Sequence, residues 1–136
     1  MGGKLQKALR VLVVDDHEVV RRTICELLTT HGFKVIGEAA NGLDSIPYAE
    51  EFQPDVVVLD VTMPTLGGIE AAPRIHEVAP NSGIVFLSQH DSNTLAKQAL
   101  ATGAQGYVLK SDASTDLIPA IRAALVGETF LSKLGR

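Results

Sequence analysis

The sequence predicts an open, doubly wound α/β fold, a parallel sheet with helices on both faces, and three observations carry that reading. Five short, nearly unbroken apolar runs recur along the chain: Val11–Val14, Phe33–Ile36, Val56–Leu59, Ile84–Leu87 and Tyr107–Leu109. Runs of this length without polar alternation suit strands covered on both sides, as in a parallel sheet between helix layers. The stretches between them carry apolar residues at helical spacing, so strand and helix alternate five times across short connections. The 136 residues, 46% of them hydrophobic, are enough for one core. A chain of this length buries roughly two-thirds of its unfolded surface on folding.

Taken in order, the first strand leads to a helix in which Val20, Ile24, Leu27 and Leu28 fall at i, i+4, i+7 and i+8, with Gly32 as its stop. After the second strand, Asn41 and Gly42 read as turn residues, and a second helix is expected within Leu43–Phe52, its start delayed by Pro47. The third helix is expected within Ile69–Val78, the fourth within Thr94–Ala101 and the fifth within Asp116–Val126. Thr115 reads as the N-cap of the fifth, with Asp116 in its first turn. Proline in a helix interior costs about 3 kcal/mol, so Pro73 and Pro119 are expected in first turns, where the amides have no internal partner.

Composition excludes several functions. The formal charge is −4, and no run of clustered Lys or Arg supplies the phosphate attraction that drives nucleic-acid binding. A single cysteine, Cys25, cannot form an intramolecular disulfide, and no secretory leader pattern opens the sequence, so a cytoplasmic location is expected. The longest apolar runs are four or five residues, far short of the ~18 that a membrane span needs. The histidines His17, His31, His76 and His90 are scattered, which argues against zinc; His17 and His90 are expected at the rim of the crevice.

In a doubly wound fold, ligands bind beyond the carboxyl ends of the strands. There the sequence places Asp15 and Asp16 after the first strand, Asp60 after the third, Ser88 after the fourth and Lys110 after the fifth. Each alone is an ordinary cap, turn or solvated residue. Together they meet in one crevice. Gathered carboxylates repel by roughly 4 kcal/mol per close pair at an effective dielectric of about 20, more than one lysine offsets. Hard carboxylate oxygens with room for water and phosphate suit Mg²⁺. Asp60 can then act as a nucleophile toward phosphorus, with Lys110 and the Ser88 hydroxyl supporting the equatorial oxygens.

The segments Val13-Val14-Asp15-Asp16-His17, Leu59-Asp60-Val61-Thr62-Met63-Pro64 with Gly67-Gly68, Leu87-Ser88 and Val108-Leu109-Lys110 resemble the receiver domain of two-component response regulators. The separations of 45, 28 and 22 residues from Asp15 to Asp60, to Ser88 and to Lys110 are similar to those of that family. The resemblance covers about residues 9 to 127. It implies a flavodoxin-like (βα)5 fold with a five-stranded parallel sheet in order 2-1-3-4-5. It further implies Asp60 as phospho-acceptor, Asp16, Asp60 and the Thr62 carbonyl as direct Mg²⁺ ligands, Asp15 acting mainly through a coordinated water, and Ser88 and Tyr107 as the switch pair. The implied partners are a sensor histidine kinase or a histidine phosphotransfer protein, with a homodimer possible and only self-phosphorylation and self-dephosphorylation as chemistry.

Asp15-Asp16-His17, Gly106-Tyr107-Val108-Leu109-Lys110-Ser111 and Gly127 with Phe130-Leu131-Ser132 resemble the NarL/FixJ-type subgroup, whose members usually continue into a helix-turn-helix domain. Residues 1–8 are accordingly expected as an N-terminal extension, 9–127 as the receiver and 128–136 as a tail or the start of a linker. The nine residues after Gly127 are too few for such a domain, so the chain is expected to be either a truncated receiver, the favoured alternative, or a standalone one acting through protein–protein contacts.

Competing functions fail on particular residues. A haloacid-dehalogenase-like phosphohydrolase needs a second Asp where Thr62 stands, leaving no general acid for the leaving group. A flavin mononucleotide carrier needs a Ser/Thr/Gly-rich phosphate loop where Asp15 and Asp16 would repel the ligand. Gln89 departs from the small residue usual in the resembled family: its side chain either covers the phosphoryl site or swings into solvent. Thr62 and His90 join it as expected modulators of access.

Overall fold

The computed structural model describes residues 8–135; most of the expected N-terminal extension, residues 1–8, lies outside the described residues. Strand and helix alternate as β1 (Arg10–Val14), α1 (Glu18–Thr30), β2 (Lys34–Ala39), α2 (Gly42–Phe52), β3 (Val56–Asp60), α3 (Gly68–Val78), β4 (Gly83–Ser88), α4 (Asn93–Ala101), β5 (Gly106–Leu109), α5 (Ala113–Leu125) and β6 (Phe130–Leu131). Among the described residues all pairings are parallel, and the sheet runs β2-β1-β3-β4-β5-β6. The expected order is therefore present, with a short sixth strand added beside β5.

Successive strand side chains point to opposite faces, so the apolar runs of β1, β3, β4 and β5 each feed two cores. Leu12, Val14, Val57, Leu59, Ile84, Phe86 and Tyr107 pack on one side with residues of α2, α3 and α4, such as Ala49, Ile75 and Ala99. Val11, Val13, Val56, Val58, Val85, Leu87 and Val108 pack on the other with Ile24 and Leu28 of α1 and Leu117 and Ile121 of α5. This is why the runs show no polar alternation. Gly32 stops α1 as expected, at φ +85°.

Three helix starts differ from expectation. Pro47 does not delay α2, which begins at Gly42 because Asn41 Oδ1 accepts from the Asp44 amide at 2.8 Å. Pro73 and Pro119 lie past the first turns of α3 and α5, which start well upstream at Gly68 and Ala113. Thr115 is consequently not the N-cap of α5. It sits inside the first turn, its hydroxyl donating to the Asp112 carbonyl at 3.1 Å, and Asp112 holds the cap position. In α5, burial of Leu117, Ile118 and Ile121 against the sheet outweighs the carbonyl that Pro119 leaves without its helical donor.

Candidate functional site

The crevice forms where the chain order reverses, at the carboxyl ends of β1 and β3, whose following helices leave to opposite faces. Asp15 follows β1 and is 1% exposed; Asp60 ends β3 and is 3% exposed. The Asp15 carboxylate is held from below by its own turn, Oδ1 accepting from the His17 amide at 2.8 Å, while Arg21 donates to the Asp15 carbonyl at 2.7 Å. Lys110, immediately after β5, reaches across so that Nζ lies 3.0 Å from Asp15 Oδ2 and 3.1 Å from Asp60 Oδ2. The Thr62 amide donates to Asp60 Oδ1 at 3.3 Å. Asp16, His17, Asp60, Thr62, Met63, Pro64, Gln89 and Lys110 line a cavity of about 140 Å³.

The glycines beside Asp60 are required by space. The α-carbon of Gly68 lies so close to the Asp60 carbonyl oxygen that any Cβ there would collide with main chain. At Gly42, where the amide donates to the Leu66 carbonyl at 3.0 Å, a Cβ would strike that carbonyl. The β3–α3 loop is thereby drawn tight under the crevice, and Thr65 within it sits at φ +71°, an uncommon conformation for a β-branched residue.

One ammonium faces three carboxylates, and the charges do not balance. Burial first, and then the negative charge of Asp15, push the Asp60 carboxyl up to about 6 against the opposing pull of Lys110. Burial alone would lower the Lys110 ammonium, but close contact with the charged carboxylates of Asp15 and Asp60 outweighs it, and its pKa is raised. Asp15 Oδ2 and Asp16 Oδ1 are buried with no hydrogen bond. The first is close to Lys110 without the alignment of a hydrogen bond, so the contact is an ion pair only. Asp15, Asp16, His17 and Asp60 each offer an atom within 4.8 Å of the others, a cluster able to hold a metal ion.

On the far wall, Ser88 ends β4 fully buried, its Oγ accepting from the His90 amide at 2.9 Å. Tyr107 of β5 is fully buried, and its hydroxyl donates to the His90 carbonyl at 2.7 Å. Burial is the main reason its phenol pKa is raised. The His90 ring approaches Thr62, with Nε2 at 3.3 Å from Thr62 Oγ1. Gln89 is exposed beside the cavity it lines.

The candidate site residues Asp15, Asp16, Asp60, Thr62, Ser88, Gln89, His90 and Lys110 thus gather at the carboxyl end of the sheet, and the Tyr107 hydroxyl reaches the same loop. His17 stands at the rim as expected, 58% exposed, and its Nδ1 also joins the acidic cluster at 3.2 Å from Asp16 Oδ1. Arg21 was not expected at all; its position one turn into α1, facing the start of the loop, was the available signal. Cys25 lies apart, half-buried near Glu38, and burial with that charge pushes its thiol up to about 11.

A family model described as the response regulator receiver domain matches residues 11–122. The chain is 36% identical over 125 residues to the response regulator GacA of Pseudomonas viridiflava, which covers 91% of this chain and 58% of that protein. It is likewise 36% identical to the response regulator UvrY of Escherichia coli, over 91% of this chain and 57% of that protein. The chain therefore spans somewhat more than half the length of the curated relatives it matches. Among solved structures it is similar to a two-component response regulator of the LuxR family from an Aurantimonas species, with a TM-score of 0.87 and 35% identity over 93% of this chain and 91% of that one.

Proposed function

The chain belongs to the response regulator receiver domain family, the signalling modules of two-component systems, and from that premise we propose that Asp60 is its phospho-acceptor. The observation that carries the proposal is the setting of the Asp60 carboxylate: buried at a strand end, 3.1 Å from the Lys110 ammonium, beside two further carboxylates, and open to a small cavity. The donor is a phosphohistidine of a sensor kinase or phosphotransfer protein. An Asp60 oxygen forms the new O–P bond as the P–N bond breaks and the imidazole departs with its electron pair. Lys110 donates to an equatorial phosphoryl oxygen and the Ser88 hydroxyl to another, fixing the group as it arrives.

Receiver domains generally use Mg²⁺ at an acidic pocket, and the donor set here fits one: hard oxygens, two of them buried without a hydrogen bond. Asp15, Asp16, Asp60 and the Thr62 carbonyl would hold the ion, with Asp15 acting mainly through a coordinated water. When bound, the ion supplies the positive charge that Lys110 alone does not. Mg²⁺ prefers oxygen, so His17 serves by positioning Asp15 and Asp16.

Signalling then follows from Ser88 turning toward the phosphoryl group, with Tyr107 responding through His90. The likeness to GacA, UvrY and a LuxR-family regulator supports a cytoplasmic transcription regulator in which this receiver controls a DNA-binding output domain, by homodimerisation or by release of that domain. Incubation with a small phosphodonor and Mg²⁺ tests the core of the proposal. Intact mass should show one added phosphoryl group on the wild type and none on Asp60→Asn; an adduct on the variant at wild-type yield overturns it.

A further inference from the structure

The segment after α5 returns to the sheet and ties itself to the loop after β4. Phe130 and Leu131 pair with Gly106 and Tyr107 as β6. Beyond them, the Ser132 amide donates to the Tyr107 carbonyl at 2.9 Å. The Ser132 side chain, 1% exposed, accepts from the Leu109 amide at 3.1 Å and donates to Asp116 Oδ2 of α5 at 2.7 Å. One hydroxyl therefore locks the segment to both β5 and α5. Leu134 packs against the core cluster that contains Tyr107 and Leu109. Gly135, at φ +75°, turns its amide onto Asp91 Oδ1 at 2.8 Å.

Asp91 adjoins His90, whose amide is held by Ser88 and whose carbonyl is held by the Tyr107 hydroxyl. The contacts close a circuit: loop to strap through Asp91 and Gly135, strap to β5 through Ser132 and the Tyr107 main chain, β5 back to the loop through the Tyr107 hydroxyl. We propose that residues 130–135 are a strap that carries the state of the Ser88–Asp91 loop to the C-terminal side of the domain. It rests on the Asp60 reading in one respect, that the loop moves when Ser88 re-aims its hydroxyl at a phosphoryl group. In the present geometry Ser88 Oγ is engaged by the His90 amide, so re-aiming it disturbs the residue next to Asp91. A two-state element biased from both ends transmits reciprocally.

Amide hydrogen exchange followed by NMR on the 136-residue chain tests the strap, with and without Mg²⁺ and beryllium fluoride as a phosphoryl mimic. In the free protein, Asp91→Ala should speed exchange at Ser132 and Gly135 by about tenfold, the scale of one lost hydrogen bond, and shift the His90 and Tyr107 resonances. Adding the mimic to the wild type should change exchange at Ser132 and Gly135 together with Ser88 and His90; in Asp91→Ala the change at Gly135 should be lost, while Ser132, still tied to β5 through the Tyr107 main chain, keeps a reduced response. Phosphoryl uptake by intact mass should be the same in both proteins. Strap amides that stay unchanged while Ser88 and His90 respond overturn the strap and leave the Asp60 reading standing. If no amide responds and no phosphoryl adduct forms, both fall.

Discussion

Asp60 is held against its own preference for charge. Its carboxyl is raised from 3.8 to about 6, so the folded state binds the proton more tightly than the unfolded chain does. That contribution is fully present below the unfolded value and is lost as pH rises through the window from about 4 to 6. At neutral pH the ionised carboxylate weighs against the fold. In metal-free buffer at pH 7, Asp60→Asn should therefore raise the unfolding free energy by roughly 1–2 kcal/mol, with the gain vanishing near pH 4 in chemical denaturation. Gln89 lines the same small cavity as Asp60. Its side chain is exposed there, and misplacing a reacting group by ~1 Å costs about a hundredfold in rate. Gln89→Ala should speed phosphorylation by a small donor several-fold in stopped flow while leaving Mg²⁺ affinity as it is; an unchanged rate would mean the side chain does not gate the site. The site residues themselves were legible because each stands at a strand end. His17 was less so, because its place in the cluster depends on the turn that brings its ring back over Asp15 and Asp16.

At the level of elements, the β3–α3 junction is the most tightly constrained. α3 begins on the Asp60 carbonyl, and only a residue without a Cβ fits there. Gly68→Ala should force a main-chain shift and lower stability by about 1–3 kcal/mol, the usual scale of overpacking, and it should slow phosphorylation by moving Asp60. A variant with wild-type melting and phosphorylation would show that the loop yields instead. β1, β3, β4 and β5 were easy to read because both of their faces are buried, whereas edge strand β2 is only partly covered. Helix starts were harder, since Pro47, Pro73 and Pro119 are strong local stop signals that packing overrides. β6 gave almost no signal: two residues carry no periodicity, and the Ser132 hydroxyl that fastens it depends on contacts far along the chain.

Across the whole molecule, charge bears on contact with nucleic acid. With a formal charge of −4 and no basic cluster, the chain should show no sequence-specific retention of DNA at physiological salt in a mobility-shift assay. Specific retention would place a reading surface on the receiver itself. The sheet also divides the interior into two cores, and the tyrosines fall unevenly between core and surface. The sequence has no tryptophan and two tyrosines. Tyr48 is 38% exposed and leans on Phe52 with ring centroids 5.9 Å apart, while Tyr107 is fully buried with its hydroxyl fixed to the His90 carbonyl. The protein thus carries its own optical label: in Tyr48→Phe, all remaining intrinsic near-ultraviolet emission from tyrosine arises from Tyr107, and a cuvette measurement becomes a reading of how one phenol ring is seated.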